Sequence, residues 1–329
     1  MIPRPRLPRR RLRSDDEGGT SRTALSEVAS GDDCHGMDTA RTLRASDGVV
    51  IAYRLWRPGP PRQVLVLLHG LASNMTRWSE FVARTTLRES WDLLRVDLRG
   101  QGLSLHRGRI GMAEWSADLA AILDAEGYPR AVVAGHCLGA NIAVEFSAHY
   151  PGKASGLVLV EPVLHEALAG RMRLIARLRR LFVPAVWLIR ALNAFGIHRR
   201  RLAPLNLEEL DRETRATLSA GGSADALLKR YASPWLDLRT TPGATYLQAL
   251  IAVSGRLPDL SAITTPVLAL LSTGSIFSDP MLTEQLLAKF PDYQVVRLDA
   301  RHWIPTEQPD AMRRAIEDWC MSLRSRRSP

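Results

Sequence analysis

The sequence predicts an α/β fold: a doubly wound, mostly parallel eight-stranded sheet with a helical lid inserted after the sixth strand. Three observations predict it. Continuous apolar runs of strand length alternate with segments of helical period, the pattern of parallel strands buried on both faces. His69, Asp97, Cys137 and Glu161 stand at the carboxyl ends of those runs, where sites in such sheets lie. The strand pattern then lapses from Val163 to about Arg256 before it resumes.

The 329 residues suffice for one large domain with an insertion. The expected division is a polar and basic tail over 1–40, a first core part over 41–162, the lid over 163–255 and a second core part over 256–325. Met1 to Arg13 alternates Pro and Arg, and Ser14 to Asp38 is rich in Ser, Asp, Gly and Glu. Such composition buries too little apolar surface to offset chain entropy. The tail therefore reads as a disordered extension, or as sequence upstream of a start at Met37, and Cys34 within it as incidental. No apolar run follows the basic start, so no secretory signal is read. The best membrane-span candidate, Leu181 to Ile197, is short and carries Pro184 and Arg190. Cys34, Cys137 and Cys320 are too few and too scattered for a disulfide framework and suit a reducing, cytoplasmic setting. The net charge of +10 is almost entirely arginine, since Lys153, Lys229 and Lys289 are the only lysines. With no nucleic-acid motif beside it, this charge reads as composition bias rather than as a nucleic-acid footprint.

The elements follow in order. Thr42–Ala45 and Val49–Trp56 form a hairpin turning at Asp47-Gly48. Val64–Leu68 is a buried strand ending in His69-Gly70. Trp91–Asp97 is the next strand, running into Leu98–Ser104. Trp115, Leu119, Ile122 and Leu123 give Ala113–Glu126 a helical period, closed by Gly127-Tyr128-Pro129. Ala131–Ala134 is a strand, Ala140–Phe146 a helix, and Gly156–Val160 a further strand. In the lid, Leu174, Leu178, Leu181, Ala185 and Ile189 share a helical face, and Arg173, Arg177 and Arg180 share another. That helix is expected to pack on the core as an ordinary amphipathic helix; the alternative is a membrane-surface or acyl-chain-facing helix. Thr265–Leu271 and Gln294–Leu298 complete the sheet, with a helix over about Leu282–Phe290 between them. Pro309–Leu323 is the closing helix, holding Cys320 as a structural residue.

Gly135-His136-Cys137-Leu138-Gly139 joins a strand to a helix through a tight turn with a nucleophilic side chain at its tip. The flanking glycines let strand and helix pass closely, and the helix N-terminus offers N–H groups to a developing oxyanion. A thiol near its free pKa is only fractionally ionised, so it needs an imidazole beside it. With His69-Gly70, Asp97-Leu98-Arg99-Gly100-Gln101-Gly102 and His302 after the last strand, the chain resembles the α/β-hydrolase fold family over roughly Arg41 to Leu323. The resemblance implies Cys137, in place of the usual Ser, as nucleophile and His302 as base. It implies the backbone N–H groups of Leu71 and Leu138 as the oxyanion hole. His69 and His136 read as residues that shape the backbone, and Asp97 and Arg99 as braces of their turn. The family's usual acid position, three residues after Gly274, holds Phe277. Asp279, two residues on, is placed ahead of Glu161, which ends the sixth strand where some dehalogenase-like members carry their acid.

The resemblance thus implies a hydrolase or acyltransferase acting on a small acyl ester or thioester, free or linked to a carrier or coenzyme A, through a covalent acyl-enzyme. No cofactor, metal or nucleic-acid partner is expected. Gly-x-Cys-x-Gly elbows also mark dienelactone hydrolases and polyhydroxyalkanoate synthases, neither a close match in length and lid. Two other classes remain: a catalytically reduced binding protein, suggested by Phe277, and a lipid-surface protein contacting membranes through the Arg-rich lid.

Overall fold

The computed structural model describes residues 37–221 and 230–325. The expectations for the tail and Cys34 therefore lie outside the described residues, apart from the tail's last positions. Eight strands form one sheet: β1 (Asp38–Arg44), β2 (Val50–Trp56), β3 (Gln63–Leu68), β4 (Trp91–Val96), β5 (Ala131–His136), β6 (Ala154–Val160), β7 (Val267–Ser272) and β8 (Tyr293–Leu298). Their order is β1-β2-β4-β3-β5-β6-β7-β8. β1 and β2 are antiparallel, β2 meets β4 antiparallel, and every pairing from β4 to β8 is parallel. The first strand begins at Asp38, earlier than the expected Thr42 and within the last positions assigned to the tail. The Asp38 carboxylate pairs with Arg54 and with the buried guanidinium of Arg95, and these ion pairs hold the register Asp38↔Trp56.

The central strands are apolar on both faces because helices cover both. Along β3, Val64, Val66 and Leu68 join one core while Leu65 and Leu67 join the other. Helices α2 (Met112–Ala125) and α3 (Leu138–His149) cover the first face, burying Ile122, Leu123, Ile142 and Phe146. Helix α1 (Ser79–Arg84) and the C-terminal helix supply Phe81, Val82, Ile316 and Trp319 to the second, with Cys320 fully buried among them.

Between β6 and β7 the described chain is helical: α4 (Gly170–Ala194), α5 (Leu207–Ser219), α6 (Pro234–Thr240) and α7 (Gly243–Val253). After β7 come α8 (Pro280–Leu287), the single turn α9 (Ile304–Glu307) and α10 (Pro309–Ser325). The packing of α4 differs from the expected one. Of its 25 residues only Met172, Ala176 and Val186 are buried, and it rests on α7 through that side. Leu174, Leu178 and Leu181, expected to face the core, are exposed. The helix has two apolar faces, and the interior takes the one with smaller residues. No described helix is long and apolar enough to cross a membrane.

Candidate active site

Cys137 is the hinge between β5 and α3. Its backbone lies at φ 53°, ψ −112°, a strained conformation for any residue with a Cβ. The strain is held by two close approaches that only glycine permits. A Cβ on Gly135 would overlap the carbonyl of Gly139, and one on Gly139 would sit 2.5 Å from the carbonyl oxygen of Leu68 and 2.7 Å from that of His69. The loop after β3 is equally close: a Cβ on Gly70 would lie 3.4 Å from Cys137 Cβ. This contact brings the residue after Gly70, Leu71, alongside the elbow. Leu138 is the first residue of α3, so its N–H has no partner within the helix.

His302 follows β8 and is almost fully buried. Its Nδ1–H donates to Glu161 Oε2 at 3.1 Å, and Cys137 is near enough to favour the protonated ring. Burial works against the imidazolium, but Cys137 and Glu161 outweigh it and raise the His302 pKa from 6.5 to about 9. Glu161 itself has a positive φ of 50° at the end of β6, a second strained non-glycine residue in contact with the histidine. Its other oxygen, Oε1, accepts the backbone N–H of Ser272 at the end of β7.

Of the two acids weighed from the sequence, Glu161 meets His302 and Asp279 does not. Asp279 is exposed and caps α8, its Oδ1 accepting the N–H of Leu282 at 3.0 Å. The reason is the path of the loop after β7. Ala169 N–H donates to Phe277 O and Asp279 N–H to Ala167 O, pinning the loop to the segment before α4. That path turns the Phe277 ring edge-on to His302, with centroids 4.6 Å apart, in the place where an acid was sought. Trp303 packs against the same imidazole from another side.

His69 and His136 each hydrogen-bond the backbone around the site. His69 Nδ1–H donates to Gly70 O at 2.8 Å and its Nε2 accepts Leu98 N–H at 3.0 Å. Both nitrogens are thus committed to a neutral ring, and burial lowers its pKa to about 4. His136 Nε2–H donates to the carbonyl of His302 at 3.0 Å; burial and the charge on His302 hold its pKa well below 6.5. Asp97 accepts the N–H groups of Met75 and Leu103, and Arg99 is clamped between Asp118 and Asp47.

Two supports of the site were given no contact from the sequence. Glu307 accepts the N–H groups of Arg301, His302 and Trp303, gathering the histidine loop around one carboxylate. Its only signal was its place five residues after His302. The second is a buried ion pair. Arg77 Nη1 donates to Asp211 of α5 at 2.6 and 2.7 Å and to Thr306 Oγ1 at 2.7 Å, and Tyr231 OH donates to the same aspartate. This network ties the loop after β3 and the turn after His302 to the helical segment. Arg77 and Asp211 lie far apart in the chain, and no local pattern links them.

Cys137 and His302 line a cavity of about 890 Å³. Its other wall comes from the helical segment, through Met172 and Ile175 of α4, Leu207 and Leu210 of α5, and Tyr246 and Leu250 of α7. The lining is largely apolar; its charged members are Arg77, Arg171, Arg230, Arg239 and the half-buried Asp237, whose pKa burial raises to about 7.

The comparisons with known proteins agree with this architecture. A serine hydrolase-like protein of Danio rerio is 32% identical over 111 residues, 33% of this chain and 33% of that protein, so the match spans a third of that relative's length. A Haemophilus influenzae protein assigned as an esterase/lipase is 22% identical over 260 residues, covering 77% of this chain and 82% of the relative. The crystal structure of a hydrolase from Pseudomonas aeruginosa superposes with a TM-score of 0.63 at 23% identity, over 85% of this chain and 98% of the other. The family model for the alpha/beta hydrolase fold matches residues 63–309. That match covers most of the chain and the eight-stranded, mostly parallel sheet agrees with it: the chain belongs to the α/β-hydrolase fold family.

Proposed function

We propose that the protein is an esterase-like hydrolase that works through a Cys137–His302–Glu161 triad on an acyl ester or thioester. One observation carries the reading: a thiol at a strained elbow tip shares the wall of a largely apolar cavity with a buried imidazole that a carboxylate orients. The family and the hydrolase and esterase names among its relatives support the reaction class.

The chemistry follows from the geometry. His302 takes the Cys137 proton as Sγ attacks the acyl carbonyl carbon, and the N–H groups of Leu71 and Leu138 receive the negative charge that develops on oxygen. His302 transfers its proton to the leaving alcohol or thiol as the tetrahedral adduct collapses, leaving an S-acyl enzyme. Water, deprotonated by His302, then attacks the thioester and regenerates the thiol. Another acceptor in place of water would make the same site an acyltransferase. The segment between β6 and β7 acts as the lid, since its helices form the cavity's second wall, and the apolar lining favours a hydrophobic acyl chain. The leaving group, carrier- or coenzyme-A-linked, would extend through the mouth.

The hydrogen bond between Glu161 and His302 speaks against the reading of a catalytically reduced binding protein, which rested on Phe277. The test is incubation with a panel of acyl thioesters and aryl esters, followed by intact-mass measurement. An acyl adduct on the wild-type protein that disappears in Cys137→Ala, together with turnover, is the expected outcome. Turnover that survives Cys137→Ala would sink the cysteine mechanism.

A further inference from the structure

Helix α4 shows the solvent a face that a folded monomer would normally cover. Leu174, Leu178, Leu181, Leu188 and Leu192 recur at spacings of four, three, seven and four, so they form one stripe along the helix. All five are exposed, Leu181 at 68% and Leu188 at 62%, and Phe195 at 81% extends the stripe past the helix end. Trp187, 70% exposed, adds an aromatic ring on the same helix. Scattered exposed leucines need no explanation, but an unbroken stripe marks an interaction surface.

Charge identifies what the stripe meets. Arg173, Arg177 and Arg180 each precede a stripe leucine by one residue, form a row beside it, and are exposed. From 167 to 207 every formally charged side chain is arginine. Two copies joined stripe to stripe would bring these rows together with no carboxylate in either segment to offset them. An apolar stripe bordered by arginine suits the boundary between headgroups and acyl chains of an anionic bilayer, where aromatic rings also partition.

We propose that this face of α4 docks the protein onto an anionic phospholipid surface. The opposite side of the helix supplies Met172 and Ile175 to the cavity wall, so docking holds the cavity beside the bilayer. The proposal does not depend on the reaction at Cys137.

The experiment is sedimentation of the full chain with vesicles of mixed phosphatidylglycerol and phosphatidylcholine, and with phosphatidylcholine alone. We expect at least tenfold tighter binding to the anionic vesicles, weakened by salt. Leu181→Glu/Leu188→Glu and, separately, Arg173→Gln/Arg177→Gln/Arg180→Gln should each weaken it more than tenfold while leaving the thermal midpoint in place. None of these residues lines the cavity. Absence of binding, or equal binding to neutral vesicles, would overturn the proposal. So would undiminished binding by the leucine variant, which would assign contact to the basic N-terminal segment. A dimer seen by light scattering and abolished by the leucine variant would make a second copy the occupant instead.

Discussion

Replacing Glu161 by Gln separates the two acids by energy as well as by position. The carboxylate accepts two hydrogen bonds, from Ser272 N–H and from His302 Nδ1–H. A glutamine has one oxygen for two donors, and its amide turns a donor toward whichever is left. The bond to a charged imidazolium contributes about 1.5–3 kcal/mol, which predicts a fall in the acylation rate of about 10- to 150-fold. The His302 pKa, held at about 9 partly by this carboxylate, should fall as well, and a proton NMR titration reads that shift separately from rate. Single-turnover acylation by an aryl ester gives the rate. Asp279→Asn is the control: asparagine caps a helix about as well as aspartate, so turnover and stability should stay near wild type. A Glu161→Gln enzyme within twofold of wild type, or an Asp279→Asn enzyme slowed as much, would refute the assignment.

Three more outcomes follow from the same geometry. Gly139→Ala puts a Cβ 2.5 Å from the Leu68 carbonyl oxygen, where only backbone could yield; a loss of about 3 kcal/mol should lower the thermal midpoint by roughly 6–12 °C, and an unchanged midpoint would contradict the close approach. Brief alkylation of the native protein should label Cys137 and spare Cys320, whose thiol is fully buried and pushed strongly upward in pKa, with peptide mapping as the readout; labelling of Cys320 at a comparable rate would contradict its burial. Stability should fall at alkaline pH: the His302 pKa is raised, so its contribution of about 3 kcal/mol is complete below 6.5 and is lost as pH rises to about 9. Chemical denaturation across pH 6–9 checks this, and stability that does not fall over that range would contradict the raised His302.

What the sequence makes legible is what local sterics and periodicity encode. The Gly135–Gly139 turn announces itself because each glycine answers a contact within the turn or with the strand beside it. The apolar runs of β3, β5 and β6 likewise declare strands covered on both faces. Asp279 stands away from His302 for a non-local reason. Counting from Gly274 assumes a loop that follows its own strand, whereas hydrogen bonds from Ala169 and Asp279 tie this loop to the other side of the helical segment. Glu161 was visible only as a strand-end carboxylate, and its strained backbone, which aims it at His302, has no sequence signature.

The inner face of α4 was misjudged because hydropathy cannot rank two apolar faces. The leucine stripe is the stronger by side-chain volume, yet the interior accepted Met172, Ala176 and Val186. The physical basis is crowding: small residues let α4 pack on α7, and α7 in turn buries Ala249 and Val253 in the main core. Arg77 and Asp211 fix the neighbouring helix α5 against the turn after His302. Breaking that buried pair from one side would leave an uncompensated charge, a destabilisation of about 3–5 kcal/mol. The helical segment is therefore anchored to the core at one end through charge and free at α4 to present its larger apolar face outward. A site and a surface are built from opposite sides of one helix, and only the side that touches the core is constrained by packing.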